Sequence, residues 1–298
     1  MSIATPSRIL IAVDGSENAL KACEVGATLA RTYSAEVTVI HVVPSPSIYG
    51  GQLVDEEFYE RLDKEAKALT EKAASVIEKR DVAKVRREIL WARASIAQTL
   101  LDHASSTGSD LIITGTRGLG GFRRMMLGSV SSGLVANAKC PVLVVRMDSY
   151  GKSPEFRRIL VAVDGSEHAR TAARMAVYMA KELRVELTAL YIMTLPWAAY
   201  SGGVAVPIEK IEERLREVGE KATGEVAAMA QKEGIKVKLA IEEEIESPVR
   251  GITKYATSET IDLIMLGTRG LGEVKRLLLG SVASGVVTYA KCSVLVVP

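Results

Sequence analysis

An internal repeat of about 150 residues is the feature that most constrains the fold of this chain. The segment RILIAVDGSE at 8–17 returns as RILVAVDGSE at 158–167, and GTRGLGGFRRMMLGS at 115–129 returns as GTRGLGEVKRLLLGS at 267–281. Solenoid repeats span only about 20 to 50 residues, so this length indicates a duplicated domain. We predict tandem domains over 1–147 and 157–298, joined at 148–156 by a short polar linker that contains Gly and Pro.

Each half reads as strands alternating with helices. Short apolar runs such as RILIAVD, EVTVIHVV and DLIITGT predict buried strands, and the segments between them carry apolar residues at helical spacing. This order predicts an α/β fold of two doubly wound domains, each a five-stranded parallel sheet with helices on both faces. Because the last strand of each half would otherwise leave a bare edge, we expect the halves to pack as a pseudo-dimer through 142–145 and 294–297.

Composition argues against several classes of protein. The formal net charge is only +2, which gives no bulk attraction to nucleic acid or to a membrane surface. No apolar run approaches the roughly 18 residues of a membrane span, and the N-terminus lacks the pattern of a signal peptide. The three cysteines, Cys23, Cys140 and Cys292, are too few for a disulfide framework. Cys140 and Cys292 stand at matching places in the two halves and are interpreted as small buried residues before a strand. We therefore expect a cytoplasmic protein with no nucleic-acid or membrane partner.

The glycine-rich segment after the fourth strand predicts a phosphate site. Ligands of parallel α/β sheets bind outside the carboxyl ends of the strands, where this segment and Asp14 both fall. Gly115 and Gly118 are expected to take positive φ and to let the backbone approach a ligand. Gly128 and Ser129 open the next helix, whose N-terminus favours phosphate, and the serine hydroxyl could cap that helix or bind a phosphate oxygen. The Asp14 carboxylate suits ribose hydroxyls better than phosphate.

Each motif taken alone also has a purely structural explanation. A Gly-x-x-Gly pair is commonly only a turn, and VDGS is an ordinary connection from a strand to a helix. Both motifs occur twice in the expected order, which favours ligand binding. Basic side chains in the glycine-rich segments could neutralise phosphate or could simply be solvated; they are Arg117, Arg123, Arg124, Arg269, Lys275 and Arg276. The segments 44–58 and 194–208 could form a lid, a partner surface or packing under the long helix.

The glycine spacing also resembles that of a known family. The pattern Gly-x2-Gly-x9-Gly-Ser stands at Gly115, Gly118 and Gly128-Ser129, and again at Gly267, Gly270 and Gly280-Ser281. It resembles the nucleotide-binding signature of the ATP-binding universal stress proteins, and the AVDGSE and VLVV segments resemble that family as well. The resemblance covers nearly the whole chain as two tandem domains, and neither half lacks a motif residue.

The resemblance implies a role for each matching position. The ribose would be held by Asp14 and Asp164, with Gly115 and Gly267 close to it. The adenine end would be lined by the backbone of Ala12, Val13 and Val42 in the first half and of Ala162, Val163 and Ile192 in the second. The phosphates would be wrapped by Gly118, Gly128, Ser129 and Val130, and by Gly270, Gly280, Ser281 and Val282.

The resemblance implies an ATP-binding universal stress protein, with nucleotide in both halves coupled to a regulatory or stress response. ADP or AMP could replace ATP, because a glycine loop accepts any phosphate, and Mg could accompany the nucleotide. A slow ATPase or a phosphoryl- or nucleotidyl-transfer enzyme is the alternative, and an interaction module with vestigial sites is a third. No catalytic residue is assigned, since His41, His103 and His168 are scattered. A protein partner is expected but unknown, and two chains could form a homodimer.

Overall fold

Two compact units, Met1–Met147 and Asp148–Pro298, make up the chain. The computed structural model describes residues 5–44, 55–92, 94–116, 127–146, 155–194, 208–270 and 279–298. The linker predicted at 148–156 lies almost entirely outside these ranges. The predicted pairing of the two halves stays a prediction, and so do the proposed domain boundaries.

The first unit is a parallel sheet of five strands flanked by helices. Its strands are β1 (Arg8–Ala12), β2 (Glu36–Val43), β3 (Val85–Trp91), β4 (Leu111–Gly115) and β5 (Val142–Val145), which lie in the order β3-β2-β1-β4-β5. Its helices are α1 (Glu17–Tyr33), α2 (Glu56–Glu78), α3 (Ile96–Thr107) and α4 (Ser129–Asn137). Helix α1 packs against α2, and α3 packs against α4, as expected for a sheet covered on both faces.

The second unit repeats this arrangement. Its strands are β6 (Arg158–Ala162), β7 (Glu186–Thr194), β8 (Val237–Glu244), β9 (Leu263–Gly267) and β10 (Ser293–Val297), in the order β8-β7-β6-β9-β10. Its helices are α5 (Glu167–Leu183), α6 (Ile208–Lys232), α7 (Pro248–Ser258) and α8 (Ser281–Tyr289). The prediction of two doubly wound α/β domains, each with five parallel strands, is confirmed.

The core of each unit consists of aliphatic side chains from the central strands. Ile9, Leu10 and Ile11 of β1 are almost fully buried, as are Ile112 and Ile113 of β4. These near-continuous apolar runs form strands because both of their faces are covered by helices. Since the strands run parallel, their carboxyl ends meet at one edge of each sheet, and the segments that follow them come together there.

Two further sequence predictions concern the cysteines and the membrane. Cys23 and Cys292 are buried, and Cys140 is partly buried. Burial raises the pKa of the Cys23 thiol to about 12 and that of the Cys140 thiol to about 11, so both stay protonated and weakly nucleophilic near neutral pH. None of the described helices is long and apolar enough to cross a membrane.

Candidate functional site

A tight turn holds each predicted ribose-binding aspartate at the carboxyl end of the first strand of its half. Asp14 follows β1, and its Oδ1 accepts the backbone N–H of Ser16 at 3.0 Å. Asp164 follows β6, and its Oδ1 accepts the backbone N–H of Ser166 at 2.9 Å. One oxygen of each carboxylate therefore fixes the turn, and the other oxygen, Oδ2, is not used by it.

The glycine between aspartate and serine makes this turn possible. Gly15 has φ +84° and Gly165 has φ +83°, a backbone conformation that other residues rarely adopt. The serine then becomes the N-cap of the next helix: the Ser16 hydroxyl accepts the N–H of Ala19 at 3.2 Å. The VDGS motif thus positions the carboxylate and starts α1 or α5 at the same time.

Gly115 and Gly267, at the ends of β4 and β9, are required for packing. A Cβ on Gly115 would lie 2.8 Å from Asn18 Cβ, and one on Gly267 would lie 2.6 Å from the backbone carbon of His168. The expectation that Gly115 takes positive φ is wrong, because positive φ occurs among the described glycines only at Gly15, Gly108, Gly165 and Gly234. The strand stays extended here, and the missing side chain lets helix α1 or α5 approach it closely.

The glycine-rich segment is closed at its base by a backbone hydrogen bond in each half. Thr116 follows β4, and its carbonyl accepts the N–H of Gly128 at 2.9 Å. In the second half, the carbonyl of Thr268 accepts the N–H of Gly280 at 2.8 Å. These bonds place the N-termini of α4 and α8 beside the carboxyl ends of β4 and β9.

Among the described residues, no side chain caps the N-terminus of α4 or of α8. Their N-cap residues are Gly128 and Gly280, neither of which offers a side chain. The first alternative for Ser129, that its hydroxyl caps the helix, is therefore wrong, because Ser129 is already the first helical residue, as Ser281 is in the second half. The N–H groups of the first helical turn have no partner within the helix, which makes this end suited to an anion.

Ser131 and Ala283 show that part of the motif region is structural. The Ser131 hydroxyl is buried and donates to the carbonyl of Gly115 at 2.6 Å. This bond ties α4 to the end of β4. Ala283, also buried, stands at the matching position of the second half. The Ser131 hydroxyl is thus bonded within the protein.

In the second half, the start of the glycine-rich segment lies against the aspartate turn. A Cβ added to Gly270 would collide with Asp164 Oδ2, so the two groups are in close contact. The Ser166 hydroxyl donates to the carbonyl of Arg269 at 3.4 Å. The structure thus brings together Asp164 and Gly270, two of the predicted site residues. The matching Gly118 and Arg117 lie outside the described residues.

The predicted adenine end differs between the halves. The N–H of Val13 donates to the carbonyl of Ile40 at 2.9 Å, and the Val13 carbonyl lies 2.8 Å from His41 Nδ1. Because a carbonyl only accepts, Nδ1 of His41 carries the proton. In the second half Tyr191 replaces His41, and burial, aided by the charge of Asp164, raises the pKa of the Tyr191 hydroxyl.

The remaining predicted adenine residues lie on β1, β2, β6 and β7. Ala12 and Val42 are buried, and Ala162 is partly buried. The N–H of Val163 donates to the carbonyl of Leu190 at 2.9 Å, the same bond that Val13 makes. The Ile192 side chain faces α7, where a Cβ on Gly251 would lie 2.9 Å from it.

Several predictions fall on residues that the structure does not describe. They are Gly118, the basic residues Arg117, Arg123, Arg124, Lys275 and Arg276, and most of the two segments 44–58 and 194–208. Val130 and Val282 lie in the first turns of α4 and α8, as the motif requires.

Sequence reasoning missed two residues that shape the site. His41 was treated as one of three scattered histidines, yet it fixes the carbonyl of Val13. The signal was present, because His41 immediately precedes Val42 on a strand whose end was predicted to line the adenine. The second is Leu69 of α2, whose Cδ1 would lie 3.1 Å from a Cβ on Gly15; no motif marks it.

Comparison with known proteins relates both halves of the chain to one protein family. The model of the universal stress protein family matches residues 6–146 and again residues 155–298. A universal stress protein of Mycolicibacterium smegmatis is 29% identical over 299 residues, which cover 99% of this chain and 98% of that protein. One from Bacillus subtilis is 34% identical over 146 residues, which cover 47% of this chain and 99% of the relative.

The fold also resembles that of solved structures. The crystal structure of a universal stress protein from Archaeoglobus fulgidus has a TM-score of 0.70 at 22% identity, covering 98% of this chain and 96% of that one. At this identity the likeness concerns the fold alone. The family model, however, covers nearly all of the chain. The chain therefore belongs to the universal stress protein family, as a tandem member with one family domain in each half.

Proposed function

We propose that this chain is a nucleotide-binding regulatory protein that holds one adenine nucleotide, with ATP as the preferred ligand, in each half. The observation that carries the proposal is the N-terminus of α4 and of α8, which no side chain of the described residues caps. The bond from Gly128 to Thr116, or from Gly280 to Thr268, fixes it beside the end of a strand. Backbone N–H groups and the helix dipole at such an end favour phosphate.

The aspartate turns support assigning the sugar end to the adjacent strand. Oδ1 of Asp14 and of Asp164 accepts a backbone N–H within the turn, which leaves Oδ2 to accept ribose hydroxyls. In the second half Oδ2 of Asp164 lies against Gly270. The ribose would then bind at the end of β6, beside the start of the glycine-rich segment, with its phosphates directed toward α8.

The proposed ligand requires modest binding energy. A micromolar dissociation constant corresponds to about 8 kcal/mol, which a few backbone hydrogen bonds to phosphate and burial of adenine are able to supply. Any Mg²⁺ would come with the nucleotide and be held chiefly by phosphate oxygens and water. The described residues contain no group of three side chains suited to holding a metal ion by themselves.

We propose further that occupancy controls binding to a protein partner in a stress response. The binding residues in this account are those named from the sequence, with Ser129 and Ser281 acting as phosphate ligands and not as caps. Tyr191 and His41 would give the two adenine ends different surroundings, so the two affinities need not be equal.

Glycine substitution tests the assignment most simply. Gly270→Ala would place a methyl group against Asp164 Oδ2 and should remove the nucleotide of the second half. Gly118→Ala should remove the nucleotide of the first half. Isothermal titration with ATP and Mg²⁺ should therefore give one nucleotide per chain for each variant and one per half for the parent.

The matched control is Gly224→Ala. Gly224 lies in α6, and a Cβ there would meet no atom within 4 Å in the part of the chain that the structure describes, so this variant should keep the parent stoichiometry. If both Gly118→Ala and Gly270→Ala also keep the parent stoichiometry, the phosphate assignment is wrong.

A further inference from the structure

The outermost strand of the second unit, β8, carries an unusual arrangement of charge. Among the described residues, β8 has one neighbouring strand, β7, with which it pairs from Val237 to Glu244. Such a strand presents backbone N–H and C=O groups along its other side. Its sequence with the preceding residue, KVKLAIEEE, is basic at the start, apolar in the middle and acidic at the end.

This sequence is complementary to itself when it is read in the opposite direction. If two copies of β8 run antiparallel with Ala240 opposite Ala240, a residue that precedes Ala240 in one copy faces the residue that follows Ala240 by the same number of positions in the other copy. Lys238 then faces Glu242, and Lys236 faces Glu244. A two-fold axis through Ala240 repeats each pair, so the charged residues form four pairs of opposite sign on one face of the ribbon.

The other face of the same ribbon would be apolar at its centre. There Leu239 faces Ile241, and the axis generates the same contact twice. Leu239 is 47% exposed in the described structure, which is high for a leucine. Ile241 is partly buried against α6, where a Cβ on Gly219 would lie 3.2 Å from its Cδ1. An antiparallel partner would cover the exposed part of Leu239.

The helices on either side of β8 are compatible with this arrangement. Lys238 Nζ lies 2.7 Å from Glu259 Oε2 and 5.7 Å from the centre of the Tyr255 ring, so it points toward the α7 side. An ammonium group has three donors, so Lys238 is able to meet a carboxylate of a second chain as well. Within the described part of the chain, Lys236 and Glu242 make no ion pair, and both are exposed.

The matching strand of the first unit lacks this complementarity. The paired registers place Glu88 of β3 where β8 has Ala240, since these residues lie beside Ile40 and Leu190. An antiparallel pair of β3 strands centred on Glu88 would set two carboxylates opposite each other, which is destabilising. Arg87, in the place of Leu239, is already bonded to Glu71 and Glu78 of α2.

We infer that β8 is a homotypic interaction surface, through which two copies of this chain pair edge to edge, antiparallel, about a two-fold axis at Ala240. Such an interface uses the same patch on both chains and closes at two copies. Main-chain hydrogen bonds across the edge would hold the strands, and the charge pairs would fix their direction and register.

Charge reversal tests both the surface and the register. One full-length variant carries Lys236→Glu with Lys238→Glu, and the other carries Glu242→Lys with Glu244→Lys. Each alone sets like charges opposite one another, so the dissociation constant of its dimer should rise at least about tenfold over the parent. An equal mixture restores every pair of opposite sign and should restore association, measured by sedimentation velocity.

The mixture also shows that both variants are folded, because an unfolded chain would not restore association. The control Lys84→Glu with Arg86→Glu changes the net charge by the same amount as Lys236→Glu with Lys238→Glu. Its two positions are exposed and lie at and just before the start of β3, so this variant should associate as the parent does. The proposal is overturned if the parent does not self-associate, if each reversed variant alone associates as the parent does, or if the mixture fails to regain association.

A covalent trap provides an independent test. Directly opposite residues of antiparallel strands have Cα atoms about 4.5 to 5.5 Å apart, which falls within the range of a disulfide. Ala240→Cys should therefore form a disulfide-linked dimer under mild oxidation, whereas Glu88→Cys on β3 should not. The absence of a dimer from Ala240→Cys, or equal yields from the two variants, would contradict the inference.

Discussion

The same four residues, Val-Asp-Gly-Ser, form a turn in each half of the molecule, but the side chains that pack against this turn differ between the halves. In the first half, Leu69 of α2 lies beneath the turn, with its Cδ1 3.1 Å from the place where a Cβ on Gly15 would be. In the second half, a Cβ on Gly165 would meet no atom of the described residues within 4 Å. The turn geometry is nevertheless the same, with Gly15 and Gly165 at almost equal φ.

A single substitution accounts for this difference. The hydroxyls of Thr70 in α2 and Thr223 in α6 both donate to the carbonyl four residues earlier, so the two threonines occupy equivalent positions. The residue before each threonine is Leu69 in the first half and Ala222 in the second. A cavity of about 10 Å³ lies there, lined by Gly165, Ala222 and the Arg170–Glu225 ion pair among others. It has room for about one water molecule.

An identical motif therefore does not make an identical site. The motif fixes the backbone of the turn, but residues on a neighbouring helix decide how firmly the turn is held. His41 and Tyr191 add a second difference at the ends of β2 and β7. We therefore expect two nucleotide sites of similar geometry and unequal affinity.

The largest expected effect concerns the glycines that end β4 and β9. Gly267→Ala would push a methyl group into the backbone of His168, at 2.6 Å, and should lower the free energy of unfolding of the second unit by about 3 kcal/mol. Gly115→Ala, whose closest approach is 2.8 Å, should cost the first unit somewhat less. Urea denaturation followed by circular dichroism measures both.

Gly224→Ala is the control for the glycine pair. It adds a methyl group to α6 in open space and should stabilise the protein by up to about 1 kcal/mol. Gly267→Ala or Gly115→Ala variants as stable as the parent would show that the strand and helix do not approach as closely as described.

An intermediate effect is expected from removing the support that only the first half has. Leu69→Ala should destabilise the first unit by about 2 kcal/mol, toward the low end for buried leucines because Leu69 is only partly buried. It should also weaken ATP binding by the first half and leave ATP binding by the second half unchanged. Titration in the Gly270→Ala background measures the first site alone, and titration in the Gly118→Ala background measures the second site alone.

Lys67→Ala, on the same helix, is the matched control, because its side chain is 70% exposed and its loss should change neither stability nor affinity appreciably. If Leu69→Ala lowered stability without any change in affinity for ATP at the first site, the proposal that Leu69 supports nucleotide binding through the Gly15 turn would be wrong.

The smallest effect distinguishes Cys23 of α1 from Ala173, its counterpart in α5. The Cys23 pKa is raised to about 12 from an ordinary value of 9.0, mainly by burial. The thiol therefore ionises at a lower pH in the unfolded chain than in the folded one. Its contribution to stability is present below about pH 9 and is lost as the pH rises toward 12. Between pH 8 and 10 we expect a loss of about 1 kcal/mol.

Cys23→Ala should flatten this alkaline decline in the first unit, as thermal melts at pH 8, 9 and 10 would record. The second unit, with Ala173 at this position, acts as an internal reference. A decline of the same steepness in Cys23→Ala and in the parent would mean that other groups cause it.

The sequence predicted the elements that repeat. Two occurrences of VDGS and of the long glycine motif allowed the strand ends, the helix starts and the division into two domains to be inferred together. The strands followed from their apolar, β-branched composition, because both faces of a parallel sheet are buried. Ser16, the N-cap of α1, stands directly before an apolar helical pattern, which is where a serine favours the start of a helix.

What the sequence did not predict depends on contacts between distant segments. Nothing near Gly115 indicates that Asn18 of α1 comes within reach of its missing Cβ, so a packing glycine looked like a flexible one. Ser129 looked like a cap because serine is a common N-cap. The N–H of Ser132 donates to the carbonyl of Gly128 at 2.9 Å, which makes Gly128 the N-cap and Ser129 the first helical residue. Leu69 lies more than fifty residues from Gly15 and belongs to no motif.

We propose that both halves hold an adenine nucleotide. The most direct test saturates the purified chain with ATP and Mg²⁺, removes free ligand, denatures the protein and quantifies the released small molecules by mass spectrometry. We expect one adenine nucleotide for each half. Intact ATP would support binding without turnover, whereas ADP would favour the alternative of slow hydrolysis. Release of no nucleotide at all, even after loading at millimolar ATP, would contradict the claim.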